Sequence, residues 1–62
     1  MKAFYAKSEG RVEEIHIFSS RSDRDNYCRK TPTVGPITRK MYDYLVSHAS
    51  DRGGAYTVHD HR

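Results

Sequence analysis

The sequence predicts one small α+β domain, in which a three-stranded antiparallel sheet carries two helices on one face in the order ββααβ. Three observations lead to this fold class. Residues 2–7 and 12–18 show the alternation and the β-branched and aromatic content of strands. Apolar residues recur at helical spacing after Pro36. A further alternating run at 55–59 predicts the third strand.

The first two predicted strands are expected to form an antiparallel hairpin. Gly10, in the polar segment 8–11 between them, can supply the positive φ of a tight turn. Within the second strand, Ile15 and Ile17 share one face of the sheet, and His16 points to the opposite face. This segment is therefore expected to bury its isoleucines.

Serine and aspartate residues predict the start of a first helix. Ser20 with Asp23, or Ser22 with Asp25, can satisfy the free amide groups of a helix N-terminus. The helix is expected to end near Lys30. Only Tyr27 and Cys28 provide an inward apolar face, so we expect the helix to be short and weakly anchored.

A linker and a second helix are predicted to follow. Two prolines and a glycine in the segment 31–36 disfavour regular structure there, and Pro36 suits the first turn of a helix. The apolar pattern then predicts a helix of about 14 residues, which ends at the segment 51–54. Its buried face is expected to consist of Ile37, Met41, Tyr44, Leu45, His48 and Ala49.

Length and composition exclude several classes of protein. A chain of 62 residues has room for one domain, residues 1–62, and its single cysteine, Cys28, excludes an internal disulfide. No segment approaches the roughly 20 apolar residues of a membrane span, and the N-terminal residues lack the pattern of a signal peptide. These features favour a cytoplasmic protein with no membrane partner. The start at Met1 favours a complete short gene product.

Positive charge is concentrated in the middle of the chain. Residues 20–40 hold six basic and two acidic side chains, whereas the flanking thirds sum to 0 and −1. An acidic partner, either a protein or a nucleic acid, is expected to contact this segment. Asp23 and Asp25 interrupt the basic run, however, and a solvated helix face of mixed charge is the simpler interpretation. The predicted partner-binding residues are Arg21, Arg24, Tyr27, Arg29, Lys30, Arg39 and Lys40, with Tyr27 stacking on a base if the partner is a nucleic acid.

Metal binding and catalysis have weaker support. His59 and His61 stand two residues apart on the third predicted strand, but paired cysteine ligands are absent and the chain ends beside them. No metal site and no cofactor are therefore predicted, although metal binding by these two histidines remains open. Cys28 lies towards the end of its helix, where the dipole disfavours a thiolate. Motifs for phosphate loops and nucleophile elbows are absent, so the chain is predicted not to be an enzyme.

Tyrosines are candidates for an interaction surface. Tyrosine and arginine dominate the residues that contribute most to binding at protein interfaces. Tyr5, Tyr42 and Tyr56 are not all expected to fit inside so small a core, and any that stays exposed on the sheet marks a docking or dimer surface. The simpler interpretation buries the rings and leaves the hydroxyl groups at the rim.

A hairpin followed by Ser-Ser-x-x-x-Arg-Asp at residues 19–25 and a capped helix, within residues 12–27, is similar to small accessory proteins of phages and mobile elements. The resemblance implies a non-catalytic protein that binds and inhibits a larger host protein complex, such as a CRISPR effector. The alternative from the residues themselves is a small nucleic-acid-binding protein that uses the basic patch. A small metal-stabilised domain is a third hypothesis. A homodimer is also open, because a short sheet leaves two edges unpaired.

Overall fold

The computed structural model describes residues 2–9, 13–52, 54 and 56–62 of the chain. It confirms an α+β fold with one sheet and two helices. The strands are β1 (Phe4–Ser8), β2 (Glu14–Phe18), β3 (Val34–Ile37) and β4 (Thr57–Asp60), and the helices are α1 (Arg21–Lys30) and α2 (Arg39–Ser47), with a short 3-10 helix at Ala49–Arg52.

The sheet is mixed and has four strands in the order β3-β1-β2-β4. The antiparallel pairing of β1 with β2 is confirmed, with Phe4 opposite Phe18. The predicted turn at Gly10 lies outside the described residues. β1 also pairs antiparallel with β3, whereas β4 runs parallel to β2. The prediction of a three-stranded antiparallel sheet in the order ββααβ is therefore wrong.

The strand β3 is the element that the sequence patterns missed. Residues 34–37 form an edge strand, with Val34 buried opposite Ser8, although the segment 31–36 was expected to be a linker. An edge strand has a partner on one side only, so a strand in this position tolerates Pro36, which has no backbone N–H. The linker prediction is therefore wrong from residue 34 onwards.

Both helices begin at side-chain caps. Ser20 accepts a hydrogen bond from the backbone N–H of Asp23 at 3.1 Å, which is the first of the two predicted caps of α1. Thr38 caps α2 in the same way, with the backbone N–H of Met41 as donor at 3.1 Å. The second helix therefore starts after Pro36 has already paired in β3, and not at Pro36 as predicted.

The two helices cover opposite faces of the sheet. Neighbouring residues of a strand point to opposite faces. The Tyr5 ring stacks on Tyr42 of α2 with 4.1 Å between ring centroids, whereas Ala6 belongs to the core cluster against which Tyr27 and Cys28 of α1 pack. The predicted placement of both helices on one face is therefore wrong.

Chain direction explains this arrangement. Each helix connects two strands that run in the same direction, first β2 to β3 and then β3 to β4. Such connections are right-handed in nearly all proteins. The first connection moves across the sheet to the β3 edge and the second returns to the opposite edge. Connections of one handedness that cross a sheet in opposite directions place their helices on opposite faces.

The core lies around the two central strands. Ile15 is fully buried and stands opposite Lys7 of β1 and Val58 of β4. Its face of the sheet is the one that α2 covers, since Tyr5, opposite Ile17, points the same way. The buried side chains are Tyr5, Ala6, Ser8, Ile15, His16, Ile17, Phe18 and Val34.

Candidate interaction sites

An open apolar groove runs along the outer side of α2. It has a volume of about 330 Å³ and is lined by Thr38, Lys40, Met41 and Tyr44. Met41 is 47% exposed and Tyr44 is 58% exposed, and the two side chains line the same groove, so together they form a contiguous apolar patch. We call these four residues the α2 groove.

The groove exists because α2 carries more apolar surface than the sheet can cover. Met41, Tyr44 and His48 were predicted to be buried, and all three are exposed. The prediction is wrong for these residues because the stack of Tyr42 on Tyr5 sets the rotation of the helix. Within α2, Tyr42 and Leu45 are partly buried. Ala49, the first residue after the helix cap, is partly buried as well.

The exposed tyrosine is therefore Tyr44, and not one of the three that were singled out from the sequence. Tyr5 is buried, and Tyr42 and Tyr56 are partly buried. The ring of Tyr44 stacks on His48 with 4.2 Å between centroids, and His48 Nδ1 lies 2.9 Å from the Tyr44 carbonyl oxygen. Its own helix thus holds the Tyr44 ring in position, which lowers the entropy lost when a partner covers it.

A second site is a cleft of about 410 Å³ between the start of α1 and the start of α2. Arg21, Arg24 and Arg39 line it, and we call it the arginine cleft. The guanidinium carbon atoms of Arg21 and Arg24 each lie 5.8 Å from the centroid of the Phe4 ring, within the range of cation–π attraction. The cleft therefore has positively charged walls beside an aromatic ring.

Two of the three arginines have an acidic neighbour on their own helix. Arg24 Nε donates to Asp25 Oδ1 at 3.1 Å, and the Arg24 side chain is only 16% exposed. Arg39 Nε lies 3.8 Å from Asp43 Oδ2, and both side chains are well exposed. Exposed pairs of this kind contribute little to stability, so the Arg39 guanidinium remains accessible to another anion.

The predicted partner-binding residues thus divide into separate groups. Arg21, Arg24 and Arg39 share the arginine cleft, whereas Lys40 lines the α2 groove. Arg29 and Lys30 lie in the last turn of α1, about 12 Å along the helix from Arg21. The predicted set Arg21, Arg24, Tyr27, Arg29, Lys30, Arg39 and Lys40 therefore does not form one continuous patch.

Tyr27 has neighbours on the inner side of its helix. Its ring centroid lies 4.9 Å from that of His16, 5.4 Å from Phe18 and 5.2 Å from His61. The ring is partly buried and belongs to an aromatic layer between α1 and the sheet. These contacts compete with the base stacking that the sequence suggested for Tyr27.

A cluster of histidines forms the rest of this layer. His16, which is 3% exposed, lies opposite His59 in the parallel register of β2 and β4. The ring centroid of His16 lies 4.8 Å from that of His59 and 5.1 Å from that of His61. The spacing of His59 and His61 was visible in the sequence, but their meeting with His16 depends on a strand pairing that local patterns do not show.

Hydrogen bonds link the histidine cluster to Glu14. His16 Nδ1 lies 2.9 Å from His61 Nε2, so one of these two nitrogens carries the proton of a hydrogen bond. His59 Nε2 lies 3.0 Å from Glu14 Oε2. His16 Nε2 is buried, lies 3.9 Å from Glu14 Oε1, and has no hydrogen-bond partner within the described part of the chain.

The cluster favours a neutral His16. Burial lowers the pKa of His16, the positive charges that His59 and His61 can carry lower it further, and Glu14 opposes them. Within residues 2–9, 13–52, 54 and 56–62, no three His, Cys, Asp or Glu side chains have an arrangement that could hold a metal ion. The geometry therefore indicates a stack of imidazole rings that attaches β4 to the sheet.

Cys28 faces the core cluster from α1. Burial raises the pKa of the Cys28 thiol, Arg24 opposes this shift, and Asp25 adds to it. The thiol form thus dominates at neutral pH, and this form is a poor nucleophile.

Comparisons with known proteins give no family for this chain. No protein-family model matches it, and no match is found among curated proteins or solved structures. In the part of the chain that the structure describes, no helix combines the length and the apolar character needed to cross a bilayer.

Proposed function

We propose that this chain is a non-catalytic interaction protein that docks on a larger protein through the α2 groove. The exposure of Met41 and Tyr44, 47% and 58%, is the observation that carries the proposal. Methionine and tyrosine are enriched in protein interfaces, and methionine adapts its shape to a partner. Burying such side chains contributes about 25 cal/mol for each Å² of apolar surface removed from water.

The charges around the groove suggest the chemistry of the partner. Lys40 lines the α2 groove, and Thr38 lines both this groove and the arginine cleft, so the apolar and basic surfaces adjoin. A protein surface with an apolar side chain beside acidic residues complements this combination.

The mode of action that fits a docking protein of 62 residues is steric. The folded chain has a radius of gyration of 11.2 Å and extents of 32 × 26 × 16 Å, so a bound copy would exclude other molecules from the surface beneath it. The resemblance of residues 12–27 to phage accessory proteins suggests a host complex as the partner, of which a CRISPR effector is one example. In this proposal the chain inhibits the complex by occupying a site that another molecule needs.

Nucleic-acid binding is the second candidate, and the arginine cleft is the observation that favours it. Several phosphate contacts would make binding fall by orders of magnitude between about 50 and 200 mM salt. The apolar α2 groove, in contrast, has no counterpart on a phosphate backbone. Fluorescence anisotropy with labelled DNA and RNA at the two salt concentrations therefore separates the candidates.

Variants of the groove test the proposed function. The Met41→Asp/Tyr44→Asp variant introduces two charges into the α2 groove and is expected to reduce partner capture at least about tenfold. The Asn26→Asp/Thr33→Asp variant introduces the same charges at exposed positions outside the groove and is expected to retain the partner. The measurement is quantitative affinity purification from source cells with each tagged variant. Equal capture by both variants would contradict docking through the α2 groove.

A further inference from the structure

We propose that the arginine cleft is a binding site for a phosphate monoester in its dianionic form. Three arginines from two different helices line one open cleft, together with the apolar residues Phe4 and Ile37. Guanidinium groups match phosphate oxygens with two parallel hydrogen bonds, which makes arginine the preferred residue for this ligand. The arginine cleft shares only Thr38 with the α2 groove, so a phosphate ligand would occupy a second surface of the chain.

Two of the three arginines, Arg21 and Arg24, lie against the Phe4 ring before any ligand binds. Arg24 is mostly buried, its Nε bonds to Asp25, and its guanidinium carbon lies above the Phe4 ring. The two terminal nitrogens of Arg24 form no hydrogen bond with the described residues and can donate to a ligand. Arg21 lies over the same Phe4 ring, at the same distance of 5.8 Å. Side chains fixed in this way lose little entropy on binding.

The charge balance of the lining favours a doubly charged ligand. The cleft is lined by three arginines and by no acidic side chain among the described residues. Asp25 and Asp43 each neighbour one arginine but do not line the cleft. With Asp25 and Asp43 counted, the local charges sum to +1. The lining itself holds only positive charges, so a dianion interacts with it about twice as strongly as a singly charged carboxylate or phosphodiester.

The backbone adds to this potential. Arg21 is the first residue of α1 and Arg39 is the first residue of α2, so both helices begin at the cleft. The N-terminal end of a helix carries roughly half a positive charge. Two such ends lie beside the arginines, which on their own already define the site.

The shape of the cleft suggests an organic group attached to the phosphate. The volume of about 410 Å³ exceeds that of a phosphate ion, and Phe4, Tyr5, Pro36 and Ile37 line the remaining space. Small-molecule sites commonly have volumes of about 300–1,000 Å³ with mostly apolar walls. An aromatic ring or a nucleoside fits this lining. The candidate ligands are therefore aromatic phosphates and nucleotides, which share the phosphate monoester group.

Isothermal titration calorimetry tests the site with defined probes. Phenyl phosphate and adenosine 5′-monophosphate represent the two kinds of ligand, and benzoate and dimethyl phosphate are the singly charged controls. The tighter of the two monoesters is expected to bind at least about tenfold more tightly than either control. Its affinity is expected to fall below about pH 6, where the second ionisation of phosphate is lost. Equal affinity for a singly charged control, or no monoester binding at millimolar concentration, would overturn the proposal.

Two double variants with equal loss of charge locate the binding site. Arg21→Gln/Arg39→Gln removes two charges from the cleft, and Arg29→Gln/Lys30→Gln removes two charges from the far end of α1. Monoester affinity is expected to fall at least about tenfold in the first variant and less than about twofold in the second. Equal loss in both variants would show a general effect of charge and overturn the site. An oligonucleotide without a terminal phosphate that binds as tightly as the monoester would overturn it in favour of nucleic acid.

Discussion

The Ile15→Ala variant is expected to lose about 2–5 kcal/mol of the free energy of unfolding. Ile15 is fully buried, and β1 and β4 flank it on both sides within the sheet. The Ile15 side chain projects from the sheet face that α2 covers, so its removal leaves a cavity between sheet and helix whose cost adds to the lost transfer free energy. A domain of 62 residues has only a few kcal/mol of stability in total, and a large fraction of the variant is therefore expected to be unfolded at 25 °C.

Urea denaturation followed by circular dichroism measures this loss. Val58→Ala is the matched control, because Val58 stands directly opposite Ile15 on β4 but is 48% exposed. The control is expected to lose less than about 1 kcal/mol, mostly through strand propensity. Similar losses in the two variants would show that the core does not lie around Ile15.

Acidification from about pH 7.5 to pH 5 is expected to destabilise the domain through His16. The pKa of His16 in the folded protein lies below its ordinary value of 6.5. The unfolded chain therefore takes up a proton more readily than the folded one. The contribution of neutral His16 to stability is complete above 6.5 and declines as the pH falls from 6.5 towards the lower folded pKa. Within that window the loss reaches at most about 1.4 kcal/mol for each pH unit.

The groups that face His16 support this direction. Burial is the largest cause of the shift, and His59 and His61 of the C-terminal segment add repulsion when they are charged. Glu14 on β2 opposes the shift, and Tyr27 covers the ring from α1. Protonation of His16 thus places a charge inside an aromatic layer, which burial disfavours.

The carboxylate of Asp60 changes its protonation at a lower pH than His16 does. A hydrogen bond and ion pair with Arg62 lower the pKa of Asp60 to about 2. Any contribution of this exposed carboxylate is present above its ordinary pKa of 3.8 and declines between 3.8 and about 2. It therefore does not affect stability in the range where His16 acts.

Denaturation curves at several pH values between about 7.5 and 5 measure the effect. The His16→Phe variant keeps an aromatic ring in the layer and removes the titrating group, so its stability is expected to change less with pH than that of the native chain. His48→Gln, which removes an exposed histidine outside the cluster, is expected to retain the native dependence. The same pH dependence in the native chain and His16→Phe would contradict the role of His16.

Local sequence patterns predict those parts of the fold that depend on neighbouring residues. Alternation predicts the pairing of β1 with β2, and Ser20 predicts the start of α1. The strand β3 depends on the distant partner β1, and a segment with Pro36 and Gly35 has no local strand signal. The parallel pairing of β4 with β2 is also non-local, which is why the histidine cluster was not predicted.

The candidate sites also combine features that local sequence patterns predict with features that depend on contacts between distant residues. Basic residues around α1 and the start of α2 indicated a positively charged surface, and Arg21, Arg24 and Arg39 do share a cleft. Their meeting depends on β3, which places the start of α2 next to the start of α1. The α2 groove was not predicted, because the apolar spacing placed Met41 and Tyr44 on the buried face and gave no sign that Tyr42 would face the sheet. The contact between Tyr5 and Tyr42 decides which side of the helix does so.

Site-specific photocrosslinking in source cells tests the docking proposal most directly. A benzophenone amino acid in place of Tyr44 is expected to give one discrete protein adduct, larger than a dimer of this chain. The same amino acid in place of Asn26, which is exposed on α1 on the opposite face of the sheet, is expected to give no such adduct. Nucleic-acid adducts at Tyr44, a crosslinked homodimer, or the same protein adduct from both positions would contradict the α2 groove as the docking site for a larger protein.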